Sequence, residues 1–208
     1  GAVHALDGHP QYRRKNNGLA DAIQLSNTDE GEVITATLQV NRPFANGLSV
    51  GGNYPWQDAK SSFDATSGRA ISNWQFRHTK GDIFEQDLSR SAFEIEHRIS
   101  ANASYNFSTG ALSHTFGVFY NVQAGRPYSV LMNTSGVPDM NGDGFATNDL
   151  LYIPSGSQNV VYQYFGGGTG NSPEGVSPAQ AFANYLNYLG VSPTEGRILD
   201  RYEFTEPW

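Results

Sequence analysis

The chain has 208 residues, of which 38% are hydrophobic, and it carries 23 glycines, no cysteine and a formal net charge of −7. The lack of cysteine excludes disulfides and thiolate metal sites, and an acidic chain lacks the basic surface that nucleic-acid binding demands. No apolar run approaches the ~20 residues that a membrane helix needs, so the composition excludes a helical membrane protein. A membrane β-barrel stays open, because its strands carry about half of their positions polar.

Four stretches of apolar and polar alternation organise the sequence, at residues 32–42, 47–57, 92–107 and 115–131. A period of two places successive side chains on opposite faces of a sheet. A soluble sheet gives the same pattern, but the third and fourth stretches exceed the ~9–11 residues that a tilted strand needs to cross a bilayer. The opposite parity carries mainly Ser, Thr, Asn, Gln and Gly, which suit a water-filled lumen.

The gaps between these stretches alternate between short and long. Tightly turning hairpins on one side and long loops on the other are typical of an outer-membrane barrel. A long irregular loop would count against a compact soluble domain. We therefore predict an all-β fold, a fragment of an antiparallel transmembrane β-barrel with about four membrane strands. It divides into a surface loop at 1–31, a hairpin at 32–57, an extracellular loop at 58–91, a hairpin at 92–131 and an extracellular loop at 132–208.

Local signals refine this outline. Pro43 and the Asn46-Gly47 pair predict a tight turn in the first hairpin. Pro55 lacks an N–H and should break a ladder bond, which places it at the rim or at a bulge. Aromatic residues cluster at both ends of the predicted strands, as interfacial girdles do, although aromatics also favour strands in general. The two clusters are Tyr105, Phe107 and Phe116 at one end and Tyr54 and Trp56 at the other.

The last loop contains one predicted helix. Ser177 is placed to cap it, Pro178 to occupy its first position and Gln180 to complete a capping box. Gly190 ends the helix. The apolar stripe, which we expect to pack on the rest of the loop, consists of Phe182, Tyr185, Leu186 and Leu189.

Several motifs, taken in order, resemble those of TonB-dependent outer-membrane receptors of the Oar-like type. The resemblance extends over about residues 22–208, and it depends on the order and spacing of the motifs together. The matching segments are Leu38–Leu48, Ala70–Trp74, Glu96–Arg98, Gly125–Ser129, Asn141–Gly144, Asn148–Pro154 and Glu206–Trp208.

The resemblance implies a barrel of about 22 strands with an N-terminal plug inside it, and a short segment that engages TonB. Members import or handle large ligands with energy that TonB relays from the inner membrane. The chain would then be a fragment of the C-terminal part of the barrel, in the outer membrane of a Gram-negative bacterium. Its expected partners are outer-membrane lipid, the remainder of its own barrel and plug, TonB through segments outside this chain, and a candidate surface lipoprotein or other envelope protein.

One constellation has the spacing of metal ligands. Asp139, Asn141 and Asp143, followed by Gly144, match the first half of a calcium loop, and the carbonyl of Phe145 would add a fourth ligand. The acid expected at position 12 is missing, since Leu150 stands there and Asp149 comes one residue early. We predict either a Ca²⁺ site formed by Asp139, Asn141, Asp143, Phe145 and Asp149 or an Asx-rich turn that ties the loop base together.

No catalytic constellation emerges, and we predict that the chain is not an enzyme. The five histidines show no i, i+4 pair, and Glu94 and Glu96 are expected to balance Arg98 in a wet lumen. The glycine run at 166–170 lacks the lysine of a phosphate loop. The predicted function is a part of an energised transporter barrel. The alternatives are a secreted calcium-binding β-sandwich used in adhesion or glycan binding, and a passive outer-membrane channel.

Overall fold

The computed structural model describes residues 2–3, 10–11, 23–84, 87–132, 139–145, 147–156 and 175–207. These residues form a mostly β structure with antiparallel sheets and two short helices. The strands are β1 (Ala2–Val3), β2 (Pro10–Gln11), β3 (Gly31–Pro43), β4 (Leu48–Ser61), β5 (Ser89–Arg90), β6 (Arg98–Thr109), β7 (Leu112–Gln123), β8 (Pro127–Tyr128), β9 (Tyr152–Ser155), β10 (Glu195–Ile198) and β11 (Phe204–Thr205), and the helices are α1 (Ala70–Gln75) and α2 (Pro178–Tyr188).

The main sheet contains the four predicted strands in the order β3-β4-β6-β7, with β5 added to the far end of β4. All of its pairings are antiparallel. Both short turns lie at one end of the sheet, and the long connections leave from the other end, as the alternating gaps predict. Within the described residues the sheet is open, with β3 and β7 at its edges, and it does not close into a barrel.

The strand registers place the apolar parity of all four strands on a single face. Leu38 pairs with Tyr54, while Val50 pairs with Ala103, which in turn pairs with Val118. Since paired residues point to the same side of a sheet, the alternation predicted from the sequence is confirmed in three dimensions. We call this surface the apolar face, and its members are Ile34, Ala36, Leu38, Val40, Leu48, Val50, Tyr54, Trp56, Ile99, Ala101, Ala103, Tyr105, Phe107, Phe116, Val118, Tyr120 and Val122.

The third strand begins at Arg98, so the prediction that it starts at residue 92 is wrong. Side-chain oxygens accept hydrogen bonds from the backbone N–H groups that a strand would use for its ladder. The N–H of Ala92 donates to the Asp64 carboxylate at 2.8 Å, and that of Phe93 donates to Ser91 Oγ at 3.2 Å. Such local acceptors compete with ladder hydrogen bonds, and the segment from Ala92 to Ile95 is irregular despite its alternation, while His97 still bridges to Trp56.

The fourth strand ends at Gln123, which is earlier than the predicted residue 131, and it begins at Leu112 because only two residues form its turn. Residues 127–128 pair instead with 204–205 as β8 and β11. Gly125 permits this change of direction, because a Cβ there would lie 2.1 Å from the backbone oxygen of Glu206. The alternation after Gln123 therefore belongs to a different sheet.

The turn between β3 and β4 forms where Pro43 and Asn46-Gly47 predict it. The N–H of Phe44 donates to the Leu48 carbonyl at 2.7 Å. Gly47 has a φ of 85°, and a Cβ at this position would lie 2.2 Å from the Asn106 carbonyl oxygen of the neighbouring strand. Glycine is therefore required here by both the backbone angle and the close approach of β6.

Pro55 interrupts one ladder without creating a bulge. The ladder between β4 and β6 runs to Asn53, and the N–H of Gln57 then donates to the Glu96 carbonyl at 3.0 Å in the same register. Odd-numbered residues of β4 therefore point their backbone groups toward β6, and the proline removes the donor that would face Arg98. The predicted ladder break is confirmed, whereas the pairing of Pro55 with β3 is continuous.

The described parts of 62–97 and 124–207 pack together at the loop end of the sheet, and we call them the loop body. Helix α2 contributes to its small core, and Ser177 Oγ accepts from the Gln180 N–H at 3.2 Å as the cap predicts. Gly190 follows the helix with a φ of 77°. The buried core consists of Leu151, Ile153, Leu186, Val191 and Leu199, with Phe182 and Leu189 packed against it.

Helix α1 lies in the first long loop and was not predicted. Neither helix of the described residues has the length and hydropathy of a transmembrane helix. Some of the predictions fall outside the described residues, namely most of the surface loop at 1–31, the glycine run at 166–170 and Trp208.

Candidate functional site

Most large apolar side chains of the apolar face are exposed to the surroundings, whereas Leu48, Val50 and Trp56 of the inner strand β4 are half-buried. Leu38 is 66% exposed, Phe116 is 65% exposed and Val118 is 67% exposed. A soluble sheet normally covers such a face with a second layer, but no described residue covers these side chains. Monomeric soluble proteins seldom leave a contiguous apolar surface of four strands in water.

Aromatic clusters mark both ends of this face, as the sequence predicts. At the turn end, the Phe107 ring stacks on Tyr105, His114 and Phe116 with centroid distances of 5.6, 4.9 and 5.8 Å. At the loop end, Tyr54 Oη lies 2.8 Å from His97 Nδ1, and the two rings are parallel.

The distance between the two aromatic clusters is close to the height of the apolar band of an outer-membrane barrel. Phe107 lies ten positions after His97, which directly precedes β6, and ten steps of extended chain correspond to about 34 Å. A strand tilted by about 45° would then span about 24 Å along the membrane normal, close to the apolar band of about 25 Å in outer-membrane barrels.

The opposite face of the sheet is polar and supports its own hydrogen bonds. Ser100 Oγ donates to Asn121 Oδ1 at 2.8 Å, and Thr115 Oγ1 donates to Asn106 Oδ1 at 2.6 Å. Phe119 of β7 and Val33 of β3 are apolar exceptions on this face, at 71% and 63% exposed. A surface of neutral amides and hydroxyls needs water or other polar groups to satisfy it.

The predicted balance of Glu94 and Glu96 by Arg98 is wrong, because Arg90 takes this role. Arg90 Nε donates to Glu94 at 2.8 Å, and its Nη2 donates to Glu96 at 2.9 Å. The same guanidinium donates to Thr205 Oγ1 at 2.6 Å. Glu94 is buried in this cluster, which ties the 90–96 segment to β11 through Thr205, whereas the side chain of Glu96 is 40% exposed.

Two buried arginines fasten the loop body to the end of β4. Arg201 donates to the backbone carbonyls of Ser61 and Ser62, both at 3.1 Å, and of Asp87 at 2.6 Å. Arg77 donates to the same Ser62 carbonyl at 3.2 Å. The Asp87 carboxylate lies 3.7 Å from one guanidinium and 3.8 Å from the other, which offsets part of their repulsion.

His78 lies beside this pair, where its Nδ1 is 2.8 Å from Ser129 Oγ and its ring packs on Tyr202. Burial, together with the positive charge of Arg201, lowers the pKa of His78 to about 4. The folded chain therefore binds this proton more weakly than the unfolded chain, in which the pKa is near 6.5.

We expect the free energy of unfolding of the loop body to fall by about 1.5 kcal/mol between pH 6.5 and pH 5, because the unfolded state takes up the proton in this range. Stability is retained above pH 6.5 and declines toward pH 4. His78→Gln should remove most of this dependence. Denaturant titrations at the two pH values, followed by tryptophan fluorescence, measure the difference in the free energy of unfolding. If this difference is the same in His78→Gln as in the parent, the pH dependence does not come from His78.

Residues 139–145 form a tight turn that is tied by its own carboxylates. Asp139 accepts from the N–H groups of Gly142 at 2.7 Å and Gly144 at 2.6 Å. Asp143 Oδ1 accepts from the Phe145 N–H at 2.8 Å. The structure therefore gathers Asp139, Asn141, Asp143 and Phe145 into one turn, as the spacing predicts.

Asp149 takes a different position. Its Oδ2 accepts from the Met140 N–H at 2.9 Å and closes the base of the loop. In the described part of the chain, no three Asp, Glu or His side chains converge as a metal-binding group. Asn148 lies nearer to the loop centre than sequence reasoning suggests, because its Nδ2 donates to Asp143 Oδ2 at 2.9 Å.

A cavity of about 700 Å³ opens beside α1 at the loop end. Its walls combine aromatic rings with polar groups from the 23–30 segment and the end of β4. The guanidinium of Arg77 contributes to its lining and also lies 6.0 Å from the ring of Phe63. The aromatic and charged members of the lining are Glu30, Phe63, Trp74, Arg77 and Phe84.

No protein-family model, curated protein or solved structure matches this chain.

Proposed function

We propose that this chain supplies two membrane-crossing hairpins of an outer-membrane β-barrel, with the loop body on the outer side of the membrane. The barrel would belong to a TonB-dependent transporter that takes up or handles a large ligand. One observation carries the membrane proposal: four strands present their entire apolar parity on one exposed face and their polar parity on the other.

Lipid explains this arrangement better than water does. Hydrocarbon would surround side chains such as Leu38 and Val118, whose exposure to water is unfavourable by about 25 cal/mol per Å². The four strands contain 13, 14, 12 and 12 residues, enough to cross a bilayer when tilted. The free edges of β3 and β7 would pair with neighbouring strands, because unpaired backbone groups are not tolerated in lipid.

The transporter assignment depends on the order of motifs that resemble Oar-like receptors. The loop body supports it, because two loops far apart in sequence form one packed structure above the strands. Such a body can form part of an outer vestibule, where the 700 Å³ cavity offers aromatic and charged groups to a ligand. Energised passage would require the plug and the TonB-contacting segment of a complete barrel.

Fractionation of cells that express the full-length protein tests the membrane proposal. We expect the protein in the outer-membrane fraction, resistant to extraction with alkaline carbonate and released only by detergent. Recovery in a soluble or secreted fraction without detergent would refute it and favour a secreted sandwich. Uptake that persists after collapse of the proton-motive force would instead favour a passive channel.

A further inference from the structure

We infer that the loop formed by residues 139–148 binds one Ca²⁺ ion, with Asn148 as a ligand in the place that the sequence assigns to Asp149. The ion would lie at the junction of the two long loops and would stiffen their contact. This inference concerns the loop body alone and does not depend on the membrane proposal.

The first observation is that the backbone already follows the path of a calcium loop. The Asp139 carboxylate accepts from the N–H groups at relative positions four, five and six, at 2.7, 3.3 and 2.6 Å. Gly144, at position six, has a φ of 99°, and calcium loops use glycine there for a sharp turn. The carboxylate at position one thus holds the rest of the ligand-bearing turn around itself.

The second observation is an acceptor that lacks a donor. Asn148 is fully buried, and its Oδ1 has no hydrogen-bond partner, while its Nδ2 contacts the Asp143 carboxylate. A buried acceptor that stays unsatisfied costs about 1–3 kcal/mol. A cation coordinated by this oxygen and by the nearby carboxylate would satisfy it.

The third observation is that a second buried amide converges on the same carboxylate oxygen. Asn141 is also fully buried, and its Nδ2 lies 3.2 Å from Asp143 Oδ2. The Asp139 carboxylate accepts from the backbone N–H of Asp143 at 3.3 Å, so the same turn carries two carboxylates, which favour a positive ion between them.

The set of oxygen ligands favours Ca²⁺ over Mg²⁺. The side-chain oxygens of Asp139, Asn141, Asp143 and Asn148, with the carbonyl of Phe145, provide five protein ligands, and water would complete the six to eight that Ca²⁺ takes. Mg²⁺ demands a near-ideal octahedron and keeps several of its waters. With only two carboxylates, we expect a dissociation constant of about 10⁻⁴–10⁻³ M, the range of extracellular modules.

The position of Asn148 gives the ion a structural effect. The carbonyl of Asn148 accepts from the Thr79 N–H at 2.9 Å, and the Leu150 N–H donates back to the Thr79 carbonyl at 3.0 Å. Leu150 also bridges to Leu131. An ion that fixes Asn148 would therefore stabilise the pairing between the first long loop and the last.

The test is calorimetric titration of CaCl₂ into the full chain in detergent micelles after removal of metals with EDTA. Hydrogen exchange at the Thr79 and Leu150 amides is measured in parallel. We expect one site, and exchange about tenfold slower when Ca²⁺ exceeds its dissociation constant tenfold. MgCl₂ at the same concentration should have little effect. Absence of binding up to 10 mM, or equal binding of Mg²⁺, would overturn the inference.

Two variants and a control make the test specific. Asp143→Asn should weaken Ca²⁺ binding by more than about tenfold, because a charged ligand is lost. Asp29→Asn removes the same charge from an exposed position outside the loop and should bind Ca²⁺ like the parent. Asn148→Asp should tighten binding and make the melting temperature depend more strongly on Ca²⁺. If the melting temperature of Asn148→Asp does not change with Ca²⁺, the inference is overturned, even if Asp143→Asn fails to fold.

Discussion

Val118→Arg is expected to lower the free energy of unfolding in lipid vesicles by about 2–4 kcal/mol, the cost of an arginine near the bilayer midplane. Val118 lies on the apolar face of β7 and is paired with Ala103. That pair lies about midway between His97 and Phe107, the aromatic positions that we assign to the two interfaces. Urea titration of the full-length barrel in vesicles, followed by tryptophan fluorescence, measures the cost.

Two matched arginine variants distinguish the effect of the sheet face on stability from the effect of depth in the membrane. Asn121→Arg places the charge on the polar face of the same strand, where it should cost little beyond an exposed hydrogen bond to Ser100. Leu112→Arg keeps the apolar face but lies at the turn end, where the cost should fall to about 0–1 kcal/mol. Equal costs for Val118→Arg and Asn121→Arg would contradict the assignment of the two faces.

The sequence predicted which residues share a face because alternation is a property of each strand alone. Once antiparallel pairing is accepted, the parity of one strand aligns with that of its neighbour, and the apolar sides of all four strands coincide. The ends of the strands were harder to predict, because alternation continues past them. At Ala92 and Phe93 the deciding factor is the side chain of Asp64 or Ser91, which competes for the backbone donors.

The loop body shows the same contrast between local and distant causes. Helix α2 was predicted because its cap, its proline and its terminal glycine all lie within a few residues of one another. The loop core, in contrast, joins Leu151 to Leu199 across the sequence, and no local pattern indicates such contacts. Helix α1 is short, and its N-cap residue makes no capping hydrogen bond through its side chain, so the sequence offered little to predict it.

The turn that brings Asp139, Asn141, Asp143 and Phe145 together could be predicted from the sequence, because spacing within a turn is fixed by the backbone. Beyond it, linear spacing favoured Asp149 over Asn148. We infer the reverse order, because Leu150 pairs with Thr79 of the other loop. That pairing fixes the neighbouring backbone and leaves the Asn148 side chain against Asp143. A contact from a distant loop therefore decides which of the two side chains faces Asp143.

Arg201 has no sequence signal at all, although the structure gives it a central place. Its side chain is 3% exposed and reaches carbonyl groups more than 110 residues away, at Ser61, Ser62 and Asp87. Hydrogen bonds from a charged group contribute about 1.5–3 kcal/mol each. The Ser62 carbonyl would keep Arg77 as a donor if Arg201 were removed.

Arg201→Met should therefore destabilise the loop body by about 3 kcal/mol, while the main sheet keeps its stability because its ladders do not include this residue. Amides of the loop body should exchange about 100-fold faster, and those of β6 and β7 should be unchanged. Arg126→Met alters an exposed arginine of the same body and should change stability by less than about 0.5 kcal/mol. Hydrogen exchange resolved by residue distinguishes the outcomes. Uniform acceleration across the strands would show that sheet and loop body unfold as one unit, contrary to this prediction.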